Sequence, residues 1–241
     1  MGIRILKGGM MTTVQDLGRY GYQSQGFSVA GVMDVRSFKI ANLLLDNPEN
    51  EAVLEITLIG PTLEFTSATI IAITGGDFQP TINGEPAPMY TALYMNKGDV
   101  LKFGSARTGS RGYIAFSSYL DIPVVMGSRC TNLKSGLGGF KGRKLEADDY
   151  IGFRIKRRYL PFFLSRKLDM DEFDQTEATL RVVMGPQDGM FSKQGIQTLA
   201  VEEHLIIQPE APKQTICHLQ GSRILQSGSQ ACRHVSPNSL T

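Results

Sequence analysis

Several features are scarce or missing in this 241-residue sequence: it has no tryptophan, three cysteines and little net charge. No apolar run approaches the roughly 20 residues that span a bilayer. An odd, small number of cysteines fits a reducing cytoplasm better than a disulfide framework. The net charge is +2, so no global field favours nucleic acid or an anionic membrane as a partner. We therefore expect a cytoplasmic protein whose specificity comes from a local site.

Histidine is also missing from most of the chain, because none precedes His204. This absence excludes Cys–His and Ser–His catalysis in the residues before it. Further on, Cys217, His218, Cys232 and His234 combine the residue types that bind zinc. One pair is adjacent and the other is separated by one residue, whereas structural zinc sites favour a separation of about two to four. We expect no metal site.

The residues that are abundant indicate a β-rich fold. The 26 glycines and 11 prolines predict many turns, and short segments rich in β-branched and aromatic residues have the length of strands. These segments are residues 52–60, 69–76, 80–84, 99–104, 111–116 and 150–156. One helix is predicted from Val35 to Leu45, capped by Asp34. The sequence predicts a mainly β barrel or sandwich with few helices, with hairpin turns at Asn83-Gly84 and at Lys97-Gly98-Asp99.

Changes of composition divide the chain. Residues 154–167 carry six cations among aromatics, and residues 168–177 carry five acids. The basic run could stack single-stranded nucleic acid, but a polar connector between domains is the favoured interpretation. We predict an N-terminal domain over 1–167, a charged linker over 168–177 and the start of a second β domain over 178–209. The residues 210–241 have neither a helical nor an alternating pattern, which predicts a disordered or frameshifted tail.

The glycine-rich segment Gly127–Lys144, called the glycine segment below, is the leading candidate for a binding site. Glycines let backbone N–H groups turn towards a phosphate or carboxylate, and arginine binds either group bidentately. The candidates are Arg129, Lys134, Gly136, Gly138 and Gly139. The spacing matches neither of the familiar nucleotide-binding loops. A solvated surface loop is the alternative.

Polar residues elsewhere offer further candidates. Gln15, Asp16 and Arg19 lie in a predicted loop over residues 12–23, where they could bind a ligand or form a turn in which Asp16 pairs with Arg19. Glu55 alternates with apolar neighbours on a predicted strand, so it is either solvated or faces a cleft. In a cleft it could act as an acid or base, or hold a substrate nitrogen. Nearby cations could lower the thiol pKa of Cys130.

Five strings of the sequence, in their order and spacing, resemble one known family. They are TTVQDLGRYGYQ, NLLLDNPENEAVLEITLIGPTLEF, ITGGDF, MGSRCTNLKSGLGGFKGRKL and GPQDGMFSKQGIQT. The chain resembles the biotin-dependent carboxyltransferase or allophanate hydrolase subunit 2 family, which includes KipA and the C subunit of 5-oxoprolinase. The resemblance covers residues 3 to 198 and implies a pair of cyclophilin-like β-barrel domains.

The resemblance also implies an activity and partners. Such proteins work with two further subunits, one KipI-like and one LamB/YcsF-like, and the assembly uses ATP to open 5-oxo-L-proline to L-glutamate. Relatives fused in urea amidolyase move a carboxyl group from carboxybiotin to urea. This chain has no Met-Lys-Met biotin attachment site, so the resemblance implies that a partner carries any biotin. Arg129, Lys134 and the glycines from Gly136 to Gly139 fall in the family motif.

Two departures from the family pattern shape the expectations. Cys130 stands where the family usually has serine, and nothing after Glu203 matches the long continuation that the family has. The resemblance therefore implies a C-terminal truncation. Three hypotheses remain, namely a 5-oxoprolinase component that is inactive alone, a KipA-like protein that binds a KipI-like kinase inhibitor without catalysis, and an inactive truncated product. The substrate could be a lactam, a urea-type compound or another small amide.

Overall fold

The fold is seen in a computed structural model that describes residues 1–157, 159–169, 188–190, 192–193, 196, 206–209 and 217–220. The chain divides into two compact units, Met1–Gln175 and Thr176–Thr241. The predicted boundaries at residues 167 and 178 stay predictions. Residues 170–187, which include the second of these boundaries, lie outside the described part of the chain.

Strands dominate the described residues, which confirms the predicted mainly β class. The strands are β1 (Gly2–Lys7), β2 (Met11–Gln15), β3 (Val53–Thr57), β4 (Thr62–Phe65), β5 (Thr69–Asp77), β6 (Thr81–Ile82), β7 (Glu85–Pro86), β8 (Ala92–Met95), β9 (Val100–Lys102), β10 (Thr108–Phe116), β11 (Tyr150–Gly152), β12 (Ile206–Pro209) and β13 (Cys217–Gln220). The helix α1 spans Val35–Leu44, and three 3-10 turns span Gln23–Gln25, Phe163–Ser165 and Asp188–Met190.

Two antiparallel sheets build the first unit. One has six strands in the order β11-β1-β4-β9-β6-β7, and the other has five in the order β2-β3-β10-β5-β8. Alternate residues of both sheets point into a shared apolar core, in which Ile3 and Phe65 of the first sheet join Leu54 and Phe116 of the second. The rings of Phe65 and Phe116 lie 6.4 Å apart between centroids. Burial of this apolar surface is the main stabilisation of the unit.

The helix α1 packs on the other face of the five-stranded sheet. Asp34 caps it by accepting a hydrogen bond from the Ser37 amide at 3.0 Å, as the sequence predicts. Phe38 and Ala41 form a second apolar cluster with Ala72 and Ala115 of the sheet. The helix ends at Leu44, one residue before the predicted end.

The turns confirm one prediction and correct two others. Asn83 and Gly84 both have positive φ, 53° and 93°, and they join β6 to β7 as a two-residue hairpin, as predicted. The turn at Lys97-Gly98-Asp99 joins β8 to β9, which belong to different sheets, so the second predicted hairpin is wrong. The predicted loop over residues 12–23 begins instead as strand β2, which pairs with β3.

The second unit is described mainly through one hairpin. β12 pairs antiparallel with β13, so that Ile206 lies opposite Gln220. Four residues of the segment expected to lack regular structure therefore form a strand. The residues after 220 lie outside the described part, and the disordered tail stays a prediction.

Candidate functional site

A row of polar side chains crosses the five-stranded sheet beside α1. Thr13 pairs with Glu55 between β2 and β3, Glu55 pairs with Tyr113 on β10, and Tyr113 pairs with Thr74 on β5. Directly paired residues point to the same face of a sheet, so these four side chains form one continuous row, called the polar row below. All four are buried.

Glu55 is the ionisable centre of the polar row. Its Oε2 accepts hydrogen bonds from the Met33 amide at 2.8 Å and the Tyr113 hydroxyl at 2.9 Å. Its Oε1 lies 3.7 Å from Nε of Arg111. Burial raises the pKa of Glu55, although these donors and the Arg111 charge act in the opposite direction. The solvated alternative for this carboxylate is therefore wrong.

Gln15 joins the polar row to the glycine segment. Its Nε2 donates to Thr13 Oγ1 at 3.0 Å and to the Thr131 carbonyl at 3.2 Å. Its Oε1 is buried and has no hydrogen-bond partner among the described residues. A buried acceptor without a donor is costly, so Oε1 of Gln15 is an unsatisfied acceptor between the polar row and the glycine segment.

Asp16 binds the glycine segment rather than Arg19. Its Oδ1 accepts from the Gly18 amide at 2.9 Å and the Ser128 hydroxyl at 2.7 Å. Its Oδ2 accepts from the Arg129 amide at 2.6 Å. The predicted pairing of Asp16 with Arg19 is therefore wrong. Asp16 is a buried positioning group that fixes where Arg129 enters the glycine segment.

Arg19 is fully buried beneath the glycine segment. Its Nε donates to the Val125 carbonyl at 3.0 Å, and Nη2 donates to the Cys130 carbonyl at 3.2 Å. A Cβ at Gly138 would lie 2.2 Å from the same carbonyl and 2.5 Å from Nη2 of Arg19. Glycine is therefore required here by close packing, and Arg19 supports the segment from below.

The cations of the glycine segment differ in their exposure. Lys134 is exposed, and no hydrogen bond or ion pair holds it among the described residues. Arg129 is half-buried, and its Nε donates to the Ile122 carbonyl at 3.1 Å. Arg143 is held by Asp149 through two contacts of 2.7 Å. Among the described residues, Lys134 and the outer nitrogens of Arg129 thus make no ion pair, whereas Arg143 does.

The segment is solvated along only part of its length, because six of its residues are buried. These are Ser128, Cys130, Thr131, Asn132, Gly139 and Gly142. Burial raises the pKa of the Cys130 thiol, so the expected lowering of its pKa by nearby cations is wrong. The Cys130 side chain is buried, with its sulfur 3.7 Å from the Val29 carbonyl oxygen.

Sequence reasoning did not single out Tyr113 and Arg111, which flank Glu55 in the structure. The sequence of β10 did contain a signal for them, because Arg111, Tyr113 and Ala115 alternate with Gly112, Ile114 and Phe116. That alternation places the three residues on the face of Glu55 once the register of β10 with β3 is known. The register depends on the whole sheet and could not be found from β10 alone.

Two further observations on the described part of the chain concern metal ligands and long apolar helices. Its side chains include no group of three or more His, Cys, Asp or Glu residues placed to hold a metal ion. Its helices include none with the length and hydrophobicity to cross a membrane.

The chain is similar in sequence to one known family and to several known proteins. The family described as carboxyltransferase domain, subdomain A and B, matches residues 25–230. The C subunit of 5-oxoprolinase from Escherichia coli (strain K12) is 39% identical over 156 residues, which are 65% of this chain and 50% of that protein. The urea amidolyase of Lachancea kluyveri is 38% identical over 144 residues, 59% of this chain and 8% of that protein.

A solved structure has the same fold. The crystal structure of the Kluyveromyces lactis urea carboxylase is 26% identical, with a TM-score of 0.80 over 93% of this chain and 21% of that chain. The chain spans about half the length of the Escherichia coli protein and a small part of the urea enzymes.

Proposed function

Because the chain belongs to the family of carboxyltransferase domains with subdomains A and B, we propose that it is a component of an ATP-dependent 5-oxoprolinase, equivalent to the C subunit of that enzyme. The complex also contains a KipI-like subunit and a LamB/YcsF-like subunit, and it hydrolyses the lactam of 5-oxo-L-proline to L-glutamate. The observation that carries the proposal is the 39% identity to a protein named as the C subunit of 5-oxoprolinase. We place the complex in the cytoplasm, as the cysteine content favours.

The chemistry of a lactam explains which residues we assign to which group of the substrate. An amide is a stable bond, and phosphorylation of its oxygen by ATP creates a leaving group. Before the transfer the substrate carries the lactam N–H group and its carboxylate. Phosphorylation of the oxygen turns the C–N bond into a C=N bond, the N–H proton passes to a nearby acceptor, and the phosphoryl group becomes a second anionic group. We assign the N–H group to Oε1 of Glu55 and Oε1 of Gln15, which are acceptors with no close donor among the described residues. We assign the anionic groups to Arg129, Lys134 and the backbone of Gly136, Gly138 and Gly139.

A second candidate function is carboxyl transfer to a urea-type substrate, favoured by the similarity to urea amidolyase and urea carboxylase. Urea and the ureido ring of biotin both carry N–H groups, which the acceptors Glu55 and Gln15 fit. Biotin supplies a transferable carboxyl group when a partner carries it into the site. Under this proposal the same two residues orient the acceptor nitrogen.

The decisive experiment combines the purified chain with the KipI-like and LamB/YcsF-like subunits. With ATP present, we expect ADP, phosphate and glutamate to form when 5-oxoproline is added, and no turnover by the chain alone. Carboxybiotin-dependent consumption of urea, without 5-oxoproline turnover, would favour the second function. Stable binding to the KipI-like subunit without either reaction would favour the non-enzymatic KipA-like role. Absence of both binding and turnover would favour an inactive product.

The anion-binding assignment has its own test in Lys134→Ala and Arg129→Lys. Each removes one charge-assisted contact, Arg129→Lys because lysine cannot form the planar two-point fork of arginine. We expect the affinity of the assembled complex for its anionic ligand to fall about 10- to 150-fold. Lys97→Ala, which removes an exposed lysine from the β8–β9 turn, is the matched control. Normal binding by both site variants would make the glycine segment purely structural.

A further inference from the structure

The carboxylate of Glu55 is held asymmetrically. Both close hydrogen bonds, from the Met33 amide at 2.8 Å and the Tyr113 hydroxyl at 2.9 Å, end on Oε2. The other oxygen, Oε1, faces Nε of Arg111 at 3.7 Å, which is longer than a hydrogen bond. The two oxygens of one carboxylate therefore have different surroundings.

The proton of the Tyr113 hydroxyl has a fixed direction. The Asp34 amide lies 2.7 Å from the hydroxyl oxygen, and an amide N–H can only donate. The hydroxyl oxygen accepts this bond, which leaves its own proton for Oε2 of Glu55. Burial and the charge of Glu55 raise the pKa of Tyr113, so the hydroxyl keeps its proton at all ordinary pH values.

We infer that Tyr113 is a positioning residue that makes Oε2 of Glu55 a permanent acceptor, so that Glu55 takes up and releases its proton at Oε1 alone. A proton on Oε2 would point an O–H group at two donors that already occupy that oxygen. The inference rests on the proposed function, in which Oε1 meets the N–H group of the substrate. It deepens that function by naming the atom at which a proton is exchanged.

The charged and titratable groups around Glu55 come from two elements. β10 contributes Tyr113 and Arg111, and the start of α1 contributes Asp34. β2 contributes the uncharged Thr13 opposite Glu55. Tyr113 is the member of this group that donates directly to the ionised form of Glu55, so removal of its hydroxyl destabilises that form.

The test is a carbon-13 NMR titration of the Glu55 carboxyl group in the full chain. In Tyr113→Phe we expect the titration midpoint to move to higher pH, because the ionised form has lost a donor. Replacement of Tyr113 by 3-fluorotyrosine keeps the shape and makes a stronger donor, so the midpoint moves to lower pH. Tyr90→Phe is the matched control, since the buried Tyr90 hydroxyl bonds to the backbone of Gly75 on β5 rather than to Glu55. An unchanged midpoint with 3-fluorotyrosine overturns the inference, even where Tyr113→Phe does not fold.

The assembled complex gives a second readout. We expect Tyr113→Phe to lower kcat about 10-fold at neutral pH, as the loss of one hydrogen bond to a charged group predicts. KM stays within a factor of about two, because Tyr113 does not touch the substrate. The pH dependence of kcat moves in the same direction as the NMR midpoint. A complex without 5-oxoproline turnover would contradict the proposed function, while the titration would still decide the role of Tyr113.

Discussion

Two buried carboxylates, Asp16 and Glu55, differ in how their two oxygens are hydrogen-bonded. Asp16 accepts three hydrogen bonds spread over both oxygens, so it is satisfied and holds the glycine segment in place. Glu55 accepts two bonds on one oxygen and is left with an incompletely satisfied Oε1. A carboxylate of the first kind supports structure, whereas one of the second kind can exchange a proton or bind a ligand.

The raised pKa of Glu55 predicts a pH-dependent effect on stability. In the range above the ordinary pKa and below the raised one, the folded state binds more protons than the unfolded state. Stability therefore falls as the pH rises through this range. Glu55→Gln removes the titration, so we expect the variant to gain stability relative to the wild type as the pH rises from acidic to neutral.

Urea unfolding of both proteins across this pH range measures the effect. Glu85→Gln, which removes the charge of an exposed glutamate on β7, corrects for the change in net charge. A stability difference between Glu55→Gln and the wild type that stays constant with pH would contradict the raised pKa.

Within the glycine segment, the space around each glycine determines whether a larger side chain can be accommodated. Gly136 and Gly139 both have positive φ, 63° and 52°, but their surroundings differ. A Cβ at Gly139 would lie 1.9 Å from Oγ1 of Thr131, whereas a Cβ at Gly136 would meet no atom within 4 Å. The same backbone conformation is therefore combined with close packing at Gly139 but not at Gly136.

This difference predicts unequal effects of two alanine substitutions. Gly136→Ala should cost about 1–2 kcal/mol, the cost of a left-handed conformation for a residue with a Cβ. Gly139→Ala adds a steric clash of about 1–3 kcal/mol and should displace Thr131. Urea unfolding of the two variants compares these costs. Equal destabilisation would show that the packing at Thr131 relaxes without penalty.

Local patterns were sufficient to predict the helix, one hairpin turn and several of the strands, but not β1, β2, β4 and β8 or the partners of the strands. The Asp34 cap and the Asn83-Gly84 turn depend on neighbouring residues, and both were predicted. β2 was missed because its polar residues resemble a loop until β3 pairs with it. The polar row was missed for the same reason, since Thr13, Glu55 and Tyr113 meet only through the register of three strands that are far apart in sequence.

At the scale of the whole molecule, the five-stranded sheet of the first unit keeps the apolar core and the candidate site on opposite faces. One face packs against the six-stranded sheet in a continuous apolar core. The other face is covered by α1 over its apolar part and carries the polar row beside the helix start. The core thus fixes the strand register, and the register places Glu55, Tyr113 and Gln15 relative to one another.

This separation predicts that residues 1–175 fold without the rest of the chain. Both apolar clusters of the first unit are made of residues within this range, and its two sheets contain no strand from the described part of the second unit. We expect the fragment to unfold cooperatively with a midpoint within a few degrees of that of the same unit in the full chain. Because the chain lacks tryptophan, the near-ultraviolet circular dichroism of its tyrosines is the suitable probe. A fragment that keeps its far-ultraviolet signal but loses the tyrosine signal would contradict this prediction, because its core would then depend on the second unit for fixed packing.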